Sequence, residues 1–411
     1  MTGLPLEGLT VLDLSRLLPG GFCSLLLSDF GADVVKVEDM GMGDYIRWSP
    51  PQYEGAAPTA SSALFLSLNR GKRSIRLNLK SEAGRDVLLR LARDADVVLE
   101  SFRPGVMDRL GVGYERLGAV NPRLIYCAIT GYGQDGPSRD RSGHDVNYLG
   151  LNGILGLTGE AEGPPVQAAA QIADLGGGAL MAAIGILVAL RERERSGLGQ
   201  LVDCSMFDGS LSWLAMLAAE VFATGRAPRR GELALAGRYN CYRPYRCADG
   251  WVALGALEPK FWQAWCHGVG RPDLVDHAFD SSGSPSRDAV SAILATRTRA
   301  QWEAFAAEHD CCLEPVLDLD EALDSDLVAA RDMVVELVQP GARRPVRQLG
   351  LPIKLSRTPG DPVRAPGPAL GEHTDEVLRA AGYAPDEIAA LYDQGAVAGG
   401  DETATGTFLS S

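Results

Sequence analysis

Three short stretches hold residue types able to carry chemistry. In GHDVNY (143–148) one of the chain's five histidines, His144, stands immediately before Asp145. In QIADLGGG (171–178) Asp174 precedes three glycines at the start of an apolar run, and in LGALEPKFW (254–262) Glu258 precedes a proline where a helix should begin. A histidine titrates near neutral pH and burial raises a carboxyl toward the same range, so these types can serve as proton carriers. Each also has a purely structural use. Asp145 or Asn147 would cap a helix with His144 packed nearby, Asp174 would be an ordinary N-cap, and Glu258 would complement a helix N-terminus. Three glycines in a first turn lower local stability, and they make sense where backbone must approach something closely.

Arginines supply the complementary chemistry. SFRPGVMDRLGVG sets Arg103 before a proline-initiated short helix and Arg109 in its last turn. Arg103, beside free N–H groups, suits a phosphate, while Arg109 could simply complement the helix dipole. LNRGKRSIRLNLK (68–80), which includes Lys72, packs five basic residues into thirteen. It is either a local positive patch or a solvated face.

These residues need elements to position them. LTVLDLS (9–15) reads as a strand, RLLPGGFCSLLLSDFGA as a helix ended by Gly31, and DVVKVE (33–38) as a second strand, which together make a βαβ unit. Gly20–Gly21 with Glu38 downstream loosely mimic a dinucleotide fingerprint, but the G-x-G-x-x-G spacing is absent and argues against an NAD site. SIRLNL, the capped amphipathic SEAGRDVLLRLARDA and DVVLESF repeat the alternation, and RLIYCAITGYG (123–133) adds another strand ending in a glycine turn. Residues 1–135 are therefore expected to form an open doubly wound sheet. Ligands of such sheets lie beyond the carboxyl ends of the strands, where Arg103, Tyr132 and Gly133 fall. From 174 to 224 the pattern is helical. YRPYRCADGWVALGAL then signals a hairpin, helices follow to about 335, and GEHTDEVLRAAGYAPDEIAALYDQG reads as a helix pair.

At 411 residues the chain exceeds one typical core. Its 46% hydrophobic and 22% charged content is that of an ordinary globular protein. A net charge of −14 argues against a nucleic-acid or anionic-membrane partner. The first residues carry no secretory signal pattern, and the longest uncharged run, 175–190, reads as a buried helix. The eight cysteines fit neither a disulfide framework nor zinc spacings, which points to a reduced, cytoplasmic protein without a metal.

The chain as a whole resembles the family III CoA-transferase (CaiB/BaiF) superfamily, and within it most nearly the α-methylacyl-CoA racemases. The resemblance rests on LEGLTVLDLSRLLPGGFCSLLLSDFGADVVKVE, LNRGKRSIRLNLK, ESFRPGVMDRLGVGYERL, NPRLIYCAITGYGQDGP, SGHDVNYLGLNGIL, IADLGGG and GEHTDEVL. It implies an α/β fold: a Rossmann-like doubly wound large domain, a smaller α+β domain, and an intertwined homodimer. The corresponding boundaries are 1–205 for the first part of the large domain, 206–238 for linker helices and 239–335 for the small domain. Residues 336–398 return to the large domain, and a polar tail, 399–411, is expected to be disordered. The substrate would be an acyl-CoA thioester, with no prosthetic group.

By the same resemblance His144 and Asp174 are the two proton carriers of an α-carbon inversion. Asp145 offers a backbone amide to the enolate oxygen, and Glu258 of the partner subunit orients His144. Arg103 and Arg109 hold the CoA phosphates, with Lys72, Tyr132 and Gly133 on the cofactor side. The rival activity, transfer of CoA between carboxylic acids, uses Asp174 as a nucleophile instead. A CoA-binding protein without catalysis has no use for an opposed acid and base.

Overall fold

The computed structural model describes residues 3–400 and 405–407. Within the tail 399–411, residues 401–404 and 408–411 therefore lie outside the described residues. Contacts divide the chain into two compact units. One comprises Met1–Asn152, Ala169–Trp213 and Asp326–Ser411, the other Gly153–Ala168 and Leu214–Ser325.

The larger unit is built on a seven-stranded sheet. Its strands are β1 (Thr10–Asp13), β2 (Asp33–Glu38), β3 (Arg73–Leu77), β4 (Val97–Glu100), β5 (Ile125–Thr130), β6 (Leu201–Ser205) and a short edge strand, Val397–Ala398. From that edge the order runs through β3, β2, β1, β4 and β5 to β6. All neighbours are parallel except the edge pair with β3, which is antiparallel. Helices cover both faces, so the apolar residues of β2, β4 and β5 are buried, and Lys36, Glu38 and Glu100 are buried with them. Val35, Ile75, Val98, Tyr126 and Leu88 share one side's core.

The expected βαβ alternation is present, with β2 on the residues read for it. Helix Leu17–Asp29 ends at Phe30, and Gly31 takes φ +109° to turn the chain back. The sequence reading missed β6. It is an edge strand whose Leu201 and Asp203 face outward, so it lacks a buried strand's apolar run. The edge strand at 397–398 is too short to leave a pattern. An antiparallel ribbon, Val334–Leu337 with Val346–Leu349, was also not anticipated.

The smaller unit holds the expected hairpin, Tyr242–Arg246 with Trp251–Gly255, extended to three strands by Leu313–Pro315. Trp262, Trp265 and Trp302 fill its core, the first two stacked 5.1 Å apart.

Candidate functional site

The strand order reverses between β1 and β4, the crevice where doubly wound sheets bind ligands. The segments leaving these strands diverge there, and with the end of β5 they line a cavity of about 880 Å³ within the larger unit. Arg16–Pro19 follow β1, Ser101–Pro104 follow β4, and Ile129–Gly131 close β5. The remaining wall includes His144, Tyr148, Gln171, Asp174 and Met206. A volume of this size suits a large organic ligand.

His144 and Asp174 thus share one cavity. His144 is the residue before helix Asp145–Leu151, and its backbone N–H donates to Asn147 Oδ1 at 3.0 Å. The imidazole is exposed and lines the cavity. Asp145 is the first helical residue rather than the cap, and its buried carboxylate Oδ1 accepts the N–H groups of Ala173 at 2.6 Å and Asp174 at 3.1 Å. One carboxylate therefore ties the two candidate proton carriers into a fixed relation.

Asp174 lies inside the first turn of a wide π-type helix, Ile172–Leu180, which continues as the α-helix Met181–Ser196. It is not an N-cap, a role that falls to Gln171. Burial, with the nearby Asp145 charge adding, raises its carboxyl to about 6, and no cation offsets the shift. Asp174 can therefore hold or release a proton near neutrality. The Tyr148 hydroxyl donates to Gly143 O at 2.6 Å, and a Cβ on Gly131 or Gly143 would lie 2.7 Å from the ring.

The three glycines after Asp174 serve a close backbone approach. A Cβ on Gly177 would meet Met206 O at 2.5 Å and Ser210 N at 2.7 Å, and one on Gly178 would meet Met206 Cγ at 2.8 Å. Helix Met206–Leu211 can therefore lie directly against the π-type helix.

Four arginines, Arg16, Arg103, Arg139 and Arg141, reach the cavity wall of this acidic chain. Arg16 pairs with Asp39 at 2.5 Å and Arg139 lies 3.5 Å from Asp140, whereas neither Arg103 nor Arg141 has an ion pair among the described residues. Arg109 is exposed and does not touch the cavity, but its Nη1 and Arg139 Nη2 lie 3.3 and 3.4 Å from the point where a Cβ on Gly105 would sit. Gly105, at φ +78°, leaves room for both guanidinium groups. The sequence reading found Arg103 and Arg109 but not Arg16, Arg139 or Arg141. Their only signal is a pair of arginines two apart just before GHD.

Lys72, expected on the cofactor side, does not line the cavity. Its ammonium is buried away from the cavity, bonded to Ser24 Oγ at 2.7 Å, Asn69 Oδ1 at 2.9 Å, Gly21 O at 3.1 Å and Asp13 Oδ2 at 3.3 Å. These partners saturate its donors, so it is a structural counter-ion of Asp13 and has none left for a ligand. Tyr132 and Gly133 stand behind the wall. Tyr132 packs edge-on against Tyr148 at 5.1 Å, and Gly133, at φ +92°, donates its N–H to Thr130 Oγ1 at 2.9 Å. Glu258 belongs to the smaller unit, exposed at the start of helix Pro259–Gly268. Among the described residues, no group of three or more His, Cys, Asp or Glu side chains could hold a metal ion.

The profile of CoA-transferase family III matches residues 6–374. The chain is 37% identical over 395 residues to the alpha-methylacyl-CoA racemase of Mus musculus, covering 94% of this chain and 96% of that one. It is 36% identical over 385 residues to the succinyl-CoA:mesaconate CoA-transferase of Haloarcula marismortui, covering 92% and 96%. Among solved structures, a CAIB/BAIF family protein from Brucella suis superposes with a TM-score of 0.81 at 32% identity, covering 92% of this chain and all of that one.

Proposed function

The chain belongs to CoA-transferase family III, an enzymatic family acting on CoA thioesters, and within it we propose that the chain inverts the α-carbon of a 2-methylacyl-CoA by 1,1-proton transfer. The observation that carries this reading is the presence of His144 and Asp174 on one cavity wall, with Asp174 raised to about 6. Inversion needs a base on one face of the α-carbon and an acid on the other. In one direction Asp174 takes the α-proton and His144 returns one from the opposite face, and the reverse direction exchanges the roles. The thioester oxygen becomes negative as the enolate forms. The N-terminal amides of helix Asp145–Leu151 suit it, since their donors are fixed before the reaction begins. Arg103, Arg139 and Arg141 would hold the CoA phosphates, with Arg109 adding to the local positive field.

The reading includes a homodimer in which the partner's Glu258 orients His144. Trp213, Met216 and Phe222, 51, 76 and 86% exposed on the segment after Met206, support an apolar contact between copies. The transferase reading is favoured by relatives such as the Haloarcula enzyme, whose identity to this chain is nearly that of the racemase. There Asp174 would attack the thioester carbonyl and expel the CoA thiolate, which reopens the resulting acyl–aspartyl anhydride to an aspartyl-CoA thioester and free acid.

One experiment separates the two. The protein is incubated with a chiral 2-methylacyl-CoA in heavy water without an acceptor acid. Inversion incorporates deuterium at the α-position and scrambles the centre, and His144→Ala abolishes both. A transferase does neither, moves CoA to an added carboxylate, and yields an aspartyl-CoA thioester that hydroxylamine traps. Full exchange in His144→Ala would remove that histidine from the mechanism.

A further inference from the structure

Leu17 opens helix Leu17–Asp29 on the cavity wall at φ +60°, the left-handed region in which an L side chain crowds its own backbone. Something outside the turn must hold it there, and Asp44 is placed to do so. Both carboxylate oxygens accept the Leu17 N–H, Oδ2 at 3.2 Å and Oδ1 at 3.3 Å, and Oδ1 also accepts the N–H of Ile46 at 3.2 Å. Asp44 does not line the cavity, but Leu17, Tyr45 and Ile46 do. One carboxylate therefore joins the wall segment that leaves β1 to the segment that follows β2. Asp44 is itself buried, with Lys36 Nζ 3.0 Å from its Oδ2, and the same ammonium donates to Ser15 O at 3.0 Å. Neutralising Lys36 is not its sole use, since Asp13 and Glu38 also face that ammonium. The Arg16 guanidinium is held separately by Asp39, so what Asp44 fixes is the main chain of the turn.

We propose that Asp44 is a positioning residue for ligand binding at this cavity, holding Leu17 in the left-handed conformation and with it the relation between the Arg16–Pro19 and Tyr45–Ile46 walls. The proposal rests on the cavity being the CoA site. Without an outside partner a leucine prefers the right-handed backbone by about five- to thirtyfold. That rotation redirects the Leu17 N–H, moves the Leu17 side chain off the Ile46, Phe65 and Leu68 cluster it packs against, and shifts the main chain of Arg16. A ligand that needs both walls in place then binds only the fraction of molecules that keep them so, and its affinity falls by that fraction.

The test is isothermal titration with desulfo-coenzyme A, which lacks the thiol, well below the unfolding temperature of each variant. Binding to the unaltered protein tests the CoA reading, and its absence would defeat that reading and this proposal together. Given binding, Asp44→Ala should weaken it about tenfold. Glycine has little preference between the two backbones, so in the Leu17→Gly background the same Asp44→Ala change should cost only about twofold. A buried acid serving stability alone would lower the unfolding midpoint and leave affinity unchanged. Unchanged affinity in Asp44→Ala, or an equal loss in both backgrounds, would overturn the proposal and leave the CoA reading standing. If Asp44→Ala does not fold, the comparison of Leu17→Gly with Leu17→Ala decides. Leu17→Gly should be the more stable, with an unfolding constant about fivefold smaller, the reverse of the order in an ordinary helix. Leu17→Ala as stable or more so would mean that no strain is held at Leu17, and the proposal would fall.

Discussion

Asp174→Asn should make the protein more stable while removing its α-proton exchange. The carboxyl is raised from 3.8 to about 6 because burial and Asp145 disfavour its ionised form. At about 1.4 kcal/mol per unit, that rise is worth about 3 kcal/mol, which partial exposure to water reduces to about 2 kcal/mol. The folded-state pKa lies above the unfolded one. The carboxyl's stabilising contribution is therefore complete below about pH 4 and is lost as pH rises through about 6. Asparagine has no charge to desolvate, so the variant should match the unaltered protein near pH 4 and exceed it above pH 6. Urea unfolding at one protein concentration, run at pH 5 and pH 8, reads this directly. The variant's advantage should widen between them by about 1 kcal/mol. Exchange of the substrate α-proton should fall by at least about a hundredfold. An advantage independent of pH, or a variant less stable at pH 8, would refute the idea that Asp174 is held ionised against its surroundings for catalysis.

Asp145→Asn keeps an oxygen for the Ala173 and Asp174 N–H groups but removes the charge beside Asp174. The pKa of Asp174 should drop, moving the acid limb of the exchange pH–rate profile to lower pH, and an unchanged limb would count against the coupling. Gly177→Ala sets a methyl 2.5 Å from Met206 O, where backbone cannot yield. Thermal unfolding should show a loss of about 3 kcal/mol, whereas Gly150→Ala, with nothing within 4 Å in helix Asp145–Leu151, should be neutral or gain a few tenths.

How far each part was legible depended on how much of its cause was local. β2 was read to the residue because Val34, Val35 and Val37 of DVVKVE mark a buried β-branched run even though Lys36 and Glu38 are buried with them. β6 left no such run, since it sits at the sheet's edge with Leu201 and Asp203 outward. His144 and Asp174 could be chosen by type, and resemblance supplied their pairing. The opposite error was made with Lys72, whose place in a basic run suggests an exposed cation. Asn69 is three residues away, but the partner Asp13 lies 59 residues earlier and Gly21 and Ser24 come from the segment after β1, so only the folded sheet reveals the neutralisation. Arg139 and Arg141 were missed for the same reason: nothing local distinguishes a loop arginine facing a cavity from one facing solvent.

Asp13 and Glu100 show why the cavity can remain positive within a chain of net charge −14. They end the adjacent strands β1 and β4, and both are buried. Burial alone would raise both carboxyls. Asp13 faces Lys72 and Lys36, which together outweigh burial and hold it below the usual carboxylate range, so its charge is spent inside the protein. Glu100 faces no cation and stays mostly protonated at pH 7. Neither acid therefore presents an uncompensated charge to the arginines of the adjoining loops. Two buried glutamates or aspartates, one neutralised by an ammonium and the other by a proton, leave those arginines available for an anion. It follows that a lysine placed to pair with Glu100 would leave the charge balance at pH 7 almost unaltered, because a neutral acid would be exchanged for a neutral pair.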